Sequence, residues 1–253
     1  MRIHLFEWED QEWFPDLLRD NMTDFLRNVI LWQKIYDPAV EIILKLLKET
    51  GHKNIIDICS GAGGGIEDIA NETNLNNNVN FILTDKFPNK EAIHYFKNNK
   101  FIVYYNYPVE ATSIPRELVG LRTLFSSFHH FKPNDAKNIL KNAVKNKMPI
   151  AVFEGAGKTI IEFVSLLLLF PVLIFLITPF LKPLKWSRIF FTYLIPLLPF
   201  FIYWDGLVSI LRMYSLNDME KLTNSFENDY LWNTGKIKGK VSTVTYLTGI
   251  PLK

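Results

Sequence analysis

Cysteine is nearly absent: Cys59 is the only one in the 253-residue chain. An internal disulfide and a cysteine-rich zinc site are therefore both excluded, and a reducing compartment is the simplest expectation. Charge of one sign is missing as well. The 28 basic and 26 acidic residues leave a net +2, with no dense Lys/Arg run of the kind a phosphate backbone attracts, so nucleic acid is not the expected partner. The H-E-x-x-H spacing does not occur, and His4, His52 and His94 are scattered, so no metal site is expected. The opening M-R-I-H-L-F-E-W-E-D is acidic and lacks an apolar core, unlike a secretory signal. The length suits one large domain, or one domain carrying an insertion.

What is present centres on Asn54 to Ile66, N-I-I-D-I-C-S-G-A-G-G-G-I. A short apolar run with an acid inside it, Asp57, breaks at Cys59 into a glycine loop, and helical spacing resumes at Ile66. Strand, loop and helix in that order let a ligand approach the main chain closely and meet the unpaired N–H groups of a helix start. Upstream, apolar residues from Leu17 to Ile35 recur at helical spacing. A second helix starts at Pro38 and stops at Gly51. The aromatics of this N-terminal region, Trp8, Trp13 and Phe14 among them, are expected to pack the helices onto a sheet, and the helices to cover one edge of a site. Downstream, a polar loop at Asn76, Asn77 and Asn78 precedes a strand, Val79 to Leu83, that ends at Thr84-Asp85. Asp85 lies 20 residues beyond Gly65 (85 minus 65), the offset at which a doubly wound fold holds the hydroxyls of a ribose. Further strands are expected at Phe101 to Tyr105, Arg122 to Phe125 and Ile150 to Phe153, separated by helices. A final pair, Tyr230 to Thr234 and Val241 to Gly249, is joined through Gly235 and Gly239. Short apolar strands alternating with helices predict a parallel sheet covered on both faces.

This arrangement resembles the class I, Rossmann-like S-adenosylmethionine-dependent methyltransferases over nearly the whole chain outside the N-terminal cap and an apolar insert. The resemblance implies an α/β fold: a seven-stranded, mostly parallel sheet with an antiparallel last strand. The first motif of the family, an acid followed by G-x-G-x-G, is similar to Asp57-Ile58-Cys59-Ser60-Gly61-Ala62-Gly63, with Cys59 at the first glycine position. By resemblance, Asp57 orients the methionine ammonium through water or loop amides, and Cys59, Ser60, Gly61, Ala62 and Gly63 line the cofactor. Asp85 matches the ribose acid, with Lys86 and Phe87 beside the adenine. Glu110-Ala111 resembles the stretch whose acid meets the adenine amino group. Ser126-Ser127-Phe128-His129-His130-Phe131 stands where nucleobase-methylating enzymes carry N-P-P-Y, and its ending is similar to that of small-molecule and lipid methyltransferases. Ser126 then belongs to the cofactor site, and His129 or His130, His129 slightly preferred, is a candidate base. NAD fits less well, because Ile66 stands where a dinucleotide loop needs its third glycine.

An insert separates the fifth strand from the end of the sheet. Phe163 to Leu181 is 19 residues without a charge, and Ile189 to Trp204 adds 16 more. A spanning helix needs about 20 apolar residues. Pro171, Pro179, Pro183, Pro196 and Pro199 break the run, however, and Lys182, Lys185 and Arg188 sit in the connection, against the positive-inside tendency. The expectation is a pair of kinked helices dipping into one leaflet on the cytoplasmic side, the three basic side chains near anionic headgroups. The chain is thus expected to divide into an N-terminal helical cap (1–50), a cofactor-binding domain (51–155 and 205–253) and a hydrophobic insert (156–204). The function expected is methyl transfer to a lipophilic or membrane-embedded acceptor: a quinone, an isoprenoid or a lipid. The alternatives are a soluble small-molecule methyltransferase whose insert is a lid or dimer interface, and a non-catalytic membrane-associated protein retaining the fold. A homo-oligomer is compatible with each.

Overall fold

The computed structural model describes residues 2–74, 78–155, 164 and 167–252. Asn76 and Asn77 of the polar loop, and Phe163, Ser165 and Leu166 of the insert, lie outside the described residues. Seven strands form one sheet: β1 (Asn54–Ile58), β2 (Asn80–Thr84), β3 (Ile102–Tyr104), β4 (Leu121–Phe125), β5 (Ile150–Glu154), β6 (Tyr230–Lys238) and β7 (Thr243–Pro251). Their order is β3-β2-β1-β4-β5-β7-β6. Strands β1 to β5 are parallel, β7 is antiparallel to β5, and β6 is antiparallel to β7. The reversed last strand matches the expectation. The final hairpin differs in detail, since Gly235 lies inside β6 opposite Tyr246 and β7 starts at Thr243 and runs to Pro251. Gly235 is there for clearance: a Cβ on it would come within 2.5 Å of the Tyr246 hydroxyl.

Side chains alternate between the two faces of a strand, and the cores follow that period. Ile55, Phe81, Ala151 and Phe153 meet α2 (Ala39–Thr50), α3 (Ile66–Thr73) and α4 (Lys90–Phe96) on one face. Ile56, Ile58, Leu124, Ile150 and Val152 meet α5 (Pro133–Lys145) and the later helix at Leu216–Thr223 on the other. Helix α2 ends as expected, with Gly51 at φ 73° and its N–H on the Leu47 carbonyl. Helix α2, in the expected N-terminal cap, packs into the sheet core.

Helix α1 (Asp16–Gln33) does something different. Its Leu18, Met22 and Phe25 form a third core with Phe14 and the insert residues Ile174, Leu181, Leu198 and Ile202. The insert consists of α6 (Phe170–Ile177), a turn at Thr178–Phe180, α7 (Trp186–Ile189) opening into a wide turn at Phe190–Leu194, and α8 (Leu197–Arg212). The chain bends by 85° between Trp186–Leu194 and α8, where Pro196 and Pro199 remove N–H donors and restrict the preceding residue. Among the described residues no single helix is long and apolar enough to cross a membrane; this bent pair meets the length and composition test only as a broken span. The expected boundary at 204/205 falls inside α8, which carries apolar insert and buried Asp205 in one continuous helix. Helix α9 (Leu216–Thr223) follows, closed by a capping box between Ser215 and Asp218.

The basic residues of the insert correct another expectation. Lys185 pairs with Asp24 of α1 and Glu91 of α4. Arg188 is fully buried, donating to the carbonyls of Leu181 and Pro183 and lying 3.5 Å from Asp24. Two of the three cations thus fasten the insert to the body of the protein, and only Lys182 stays exposed. The apolar surface is another matter: Leu176, Phe180, Leu184, Trp186 and Leu194 are each more than half exposed.

Candidate functional site

The C-terminal ends of β1, β2 and β4 meet where the strand order reverses, the crevice that open α/β sheets use for ligands. A cavity of about 320 Å³ opens there. Asp57 is buried at its base, one oxygen accepting from Thr123 Oγ1 (2.8 Å) and the other from Ser60 Oγ (2.6 Å). Burial drives its pKa up to about 7 against those two hydrogen bonds. Asp57 therefore ties the loop to β4 at the floor of the cavity. The loop turns on positive φ at Gly61 (51°), Gly63 (79°) and Gly65 (80°), and also at Cys59 (59°). Cys59 holds a glycine conformation with a side chain, which costs about 1–2 kcal/mol. Gly63 has no room for a Cβ, which would lie 2.8 Å from Phe96 Cε2.

Asp85 leaves β2 and faces the cavity. Oδ2 accepts the Gly61 N–H and Oδ1 the Phe87 N–H, both at 2.8 Å. Each carboxylate oxygen has a second lone pair, so two more donors can be taken in a bidentate fashion. Burial raises the Asp85 pKa, opposed by the same two N–H groups. Lys86 bridges Glu12 (3.0 Å) and Glu110 (3.3 Å) across the rim, and Phe87 lies under the Arg19 guanidinium, 4.1 Å from ring centre. Ser126 (φ 43°) bonds the Tyr36 hydroxyl and accepts the Gly155 N–H at 3.3 Å. Of the residues expected at the site, Asp57, Cys59, Ser60, Gly61, Ala62, Asp85, Lys86, Phe87, Glu110, Ser126 and His130 line the cavity; Gly63, Ala111 and His129 stand behind it.

The two histidines have separate surroundings. His129 is buried, with Nδ1 2.8 Å from Glu154 Oε2, its main-chain N–H on Glu154 Oε1, and Nε2 without a hydrogen-bond partner among the described residues. His130 faces the cavity, with Nδ1 2.8 Å from Asp10 and 2.9 Å from Glu7. Burial opposes its protonation, but the two carboxylates outweigh burial and hold its pKa well above the imidazole range. The histidine that reaches the cavity is thus an imidazolium near neutrality, with no lone pair to accept a proton.

Sequence reasoning missed this acidic wall altogether. Glu7, Glu9 and Asp10 come from the segment ahead of α1, and Arg212 from the end of α8 lies 3.2 Å from Glu7 and 2.6 Å from Asp10. Asp205 of the same helix accepts the N–H groups of Trp8 (2.9 Å) and Glu9 (3.2 Å). Arg2 reaches back to the carbonyls of His129 (2.7 Å) and Phe131 (2.6 Å). Three acids in four positions around Trp8 were the available signal, since an amphipathic helix does not need them there. Glu7, His129 and His130 also bring ligand-type atoms within 4.8 Å of one another. His130 and Arg212 already balance Glu7 and Asp10, so the cluster needs no ion for neutrality.

The fold has counterparts among solved structures. The plantazolicin methyltransferase BpumL in complex with SAH aligns over 97% of this chain and 88% of its own, at 11% identity and a TM-score of 0.50. PigF with SAH aligns over 94% of this chain and 62% of its own, at 14% identity and a TM-score of 0.51. This chain has the class I methyltransferase fold. No family model matches its sequence, and no curated protein matches it either. At these identities the likeness is one of fold. Within the methyltransferase fold, the glycine loop, Asp85 and the His129-His130 turn occupy the ends of β1, β2 and β4, while Glu9, Asp10 and the α1 residues Arg19, Asp20 and Thr23 close the cavity from the other side.

Proposed function

We propose that this protein is an S-adenosylmethionine-dependent methyltransferase that works at the cytoplasmic face of a membrane on a lipophilic acceptor such as a quinone, an isoprenoid or a lipid. Asp85 carries the reading: a cavity-facing carboxylate, anchored by two loop N–H groups, has the two free acceptor positions that vicinal ribose hydroxyls require. Glu110 and Lys86 at the rim supply polar contacts for an adenine edge, and the positive-φ loop supplies room for the amino-acid end. The cofactor brings a methyl group activated by sulfonium charge. The chain's contribution is alignment and exclusion of water, and holding two reactants in a near-attack geometry supplies roughly 7–11 kcal/mol.

The lipophilic acceptor and the membrane are supported by the insert. Its apolar residues wall the α1 side of the molecule and also leave Trp186, Phe180 and Leu194 in the open, a surface that water does not favour. Interfacial helices use such residues in the headgroup region. A second reading, a soluble enzyme whose insert is a lid or dimer contact, is favoured by the burial of Ile174, Leu181 and Leu198 against α1. Calorimetry with SAH and with the Asp85→Ala variant tests the cofactor. Flotation with anionic vesicles tests the membrane: co-flotation is expected, and a detergent-free protein that stays with the soluble fraction contradicts it.

A further inference from the structure

We propose that Glu9 is the proton-accepting catalytic residue, and that the acceptor is therefore an uncharged lipophilic molecule that is methylated on a hydroxyl group. The proposal rests on the methyltransferase reading above and names the substrate class of that same site. Glu9 lines the cavity next to His130 and Phe131. Its main chain is pinned from both sides, the N–H by Asp205 Oδ2 at 3.2 Å and the carbonyl by Arg19 Nε at 3.1 Å. The carboxyl itself makes no hydrogen bond among the described residues; the nearest opposite charge is His130 Nε2 at 3.6 Å. The other acids of the wall are engaged. Glu7 and Asp10 lie against His130 and Arg212, and Asp205 and Asp85 each hold two main-chain N–H groups. Asp20 of α1 also lines the cavity with a carboxyl that makes no hydrogen bond or ion pair among the described residues, and of the two it is Glu9 that stands against His130.

Its surroundings suit it to take a proton at neutral pH. Burial raises the Glu9 pKa to about 7; His130 pulls it down, while Glu7, Asp10 and Asp85 push it up. A carboxylate of that basicity is matched to a general base working near pH 7. The His130 imidazolium, fixed by two carboxylates, is the wrong protonation state for the task. In the step inferred, Glu9 takes the hydroxyl proton as the acceptor oxygen forms its bond to the methyl carbon. The carbon–sulfur bond breaks with its electron pair going to sulfur, and Glu9 later returns the proton to solvent. The same wall selects against anionic acceptors. The cavity's arginines and lysine are paired, Arg19 with Asp16, Arg27 with Glu67 and Lys86 with Glu12 and Glu110, and the His130 imidazolium is shared by Glu7, Asp10 and Glu9, so a carboxylate or phosphate at the reacting end would meet a surplus of acids.

The test has a binding arm and a turnover arm. In SAH-bound full-length protein with carboxyl-labelled glutamate, carbon NMR is expected to show one resonance titrating near pH 7, absent from Glu9→Gln, with SAH affinity unchanged within twofold. A glutamate spectrum with no titration above pH 5.5 would overturn the proposal, as would loss of SAH binding in Glu9→Gln, which would assign Glu9 to the cofactor instead. Failure of the unmodified protein to bind SAH at all would instead strike the functional reading. In the second arm, labelled methyl donor and a total membrane-lipid extract are the probe. Methyl-ether formation is expected to rise with pH through about 7 and to fall at least 100-fold in Glu9→Gln, with partial rescue by Glu9→Asp. Equal rates in the two proteins, or no ether product from protein that binds SAH, would overturn it.

Discussion

On one side of the cavity Asp85 is held by the N–H groups of Gly61 and Phe87, neighbours in a strand-end frame. On the other, Glu7, Glu9 and Asp10 are held by side chains from far along the chain, Arg212 being 202 positions from Asp10. The first side is built from main chain whose geometry the sheet dictates. The second is a charge network in which buried Arg212 and half-buried His130 meet a surplus of acids, assembled only when α8 meets the N-terminal segment. Main-chain donors tolerate change around them, whereas a buried ion cluster fails when one member is lost. The first side therefore suits an invariant cofactor and the second a particular acceptor.

Substitutions separate the two sides. Arg212→Ala leaves Glu7 and Asp10 without their guanidinium and is expected to lower unfolding free energy by about 3–5 kcal/mol, read as a urea midpoint. A loss below 1 kcal/mol would mean that the cluster is not what joins the N-terminal segment to α8. Asp85→Ala removes charge-assisted hydrogen bonds and is expected to weaken SAH binding by about 1.5–3 kcal/mol, roughly tenfold to over a hundredfold by calorimetry. An unchanged affinity would remove Asp85 from the cofactor side.

Acid and base sharpen the comparison further. Burial opposes the ionisation of Asp10, but His130 and Arg212 outweigh it and hold the pKa well below its ordinary 3.8. Its contribution to stability is therefore present above pH 3.8 and lost as pH falls through the depressed value. His130 is raised, so its contribution is complete below pH 6.5 and lost as pH rises through the raised value. Stability measured from pH 5 to 9 should decline on the alkaline side, and His130→Gln should flatten that decline. A smaller effect still is expected from Trp186→Glu on the exposed insert: within about 0.5 kcal/mol in stability, but with vesicle flotation reduced. Unchanged flotation would favour the lid or dimer reading of the insert.

Much of the Asp57–Asp85 side of the cavity was legible because its signals are local. Asp57 through Gly65 and the offset to Asp85 depend on one strand-loop-helix unit, and the strands other than β6 followed their apolar runs to within a residue or two, whereas β6 runs on past Thr234 to Lys238. Cys59 could be read as a glycine position because only the backbone conformation matters there. The acidic wall was not legible. Glu7, Glu9 and Asp10 look like a solvated polar stretch until Arg212 and Asp205 are brought to them, and no local pattern encodes that approach. For the same reason Lys185 and Arg188 read as headgroup ligands although Asp24 and Glu91 take them up. His129 was preferred over His130, yet Glu154 at the end of β5 draws His129 behind the cavity, a contact fixed by sheet order and not by spacing.

The measurement closest to the central claim is a crystal structure with SAH bound. The account predicts both ribose hydroxyls on Asp85 and the sulfur directed at the space between His130 and the Glu9 carboxyl, on the acidic side of the cavity. SAH seated with its sulfur turned away from Glu9, or with its ribose on the Glu7–Asp10 segment, would contradict the division of the cavity into these two sides.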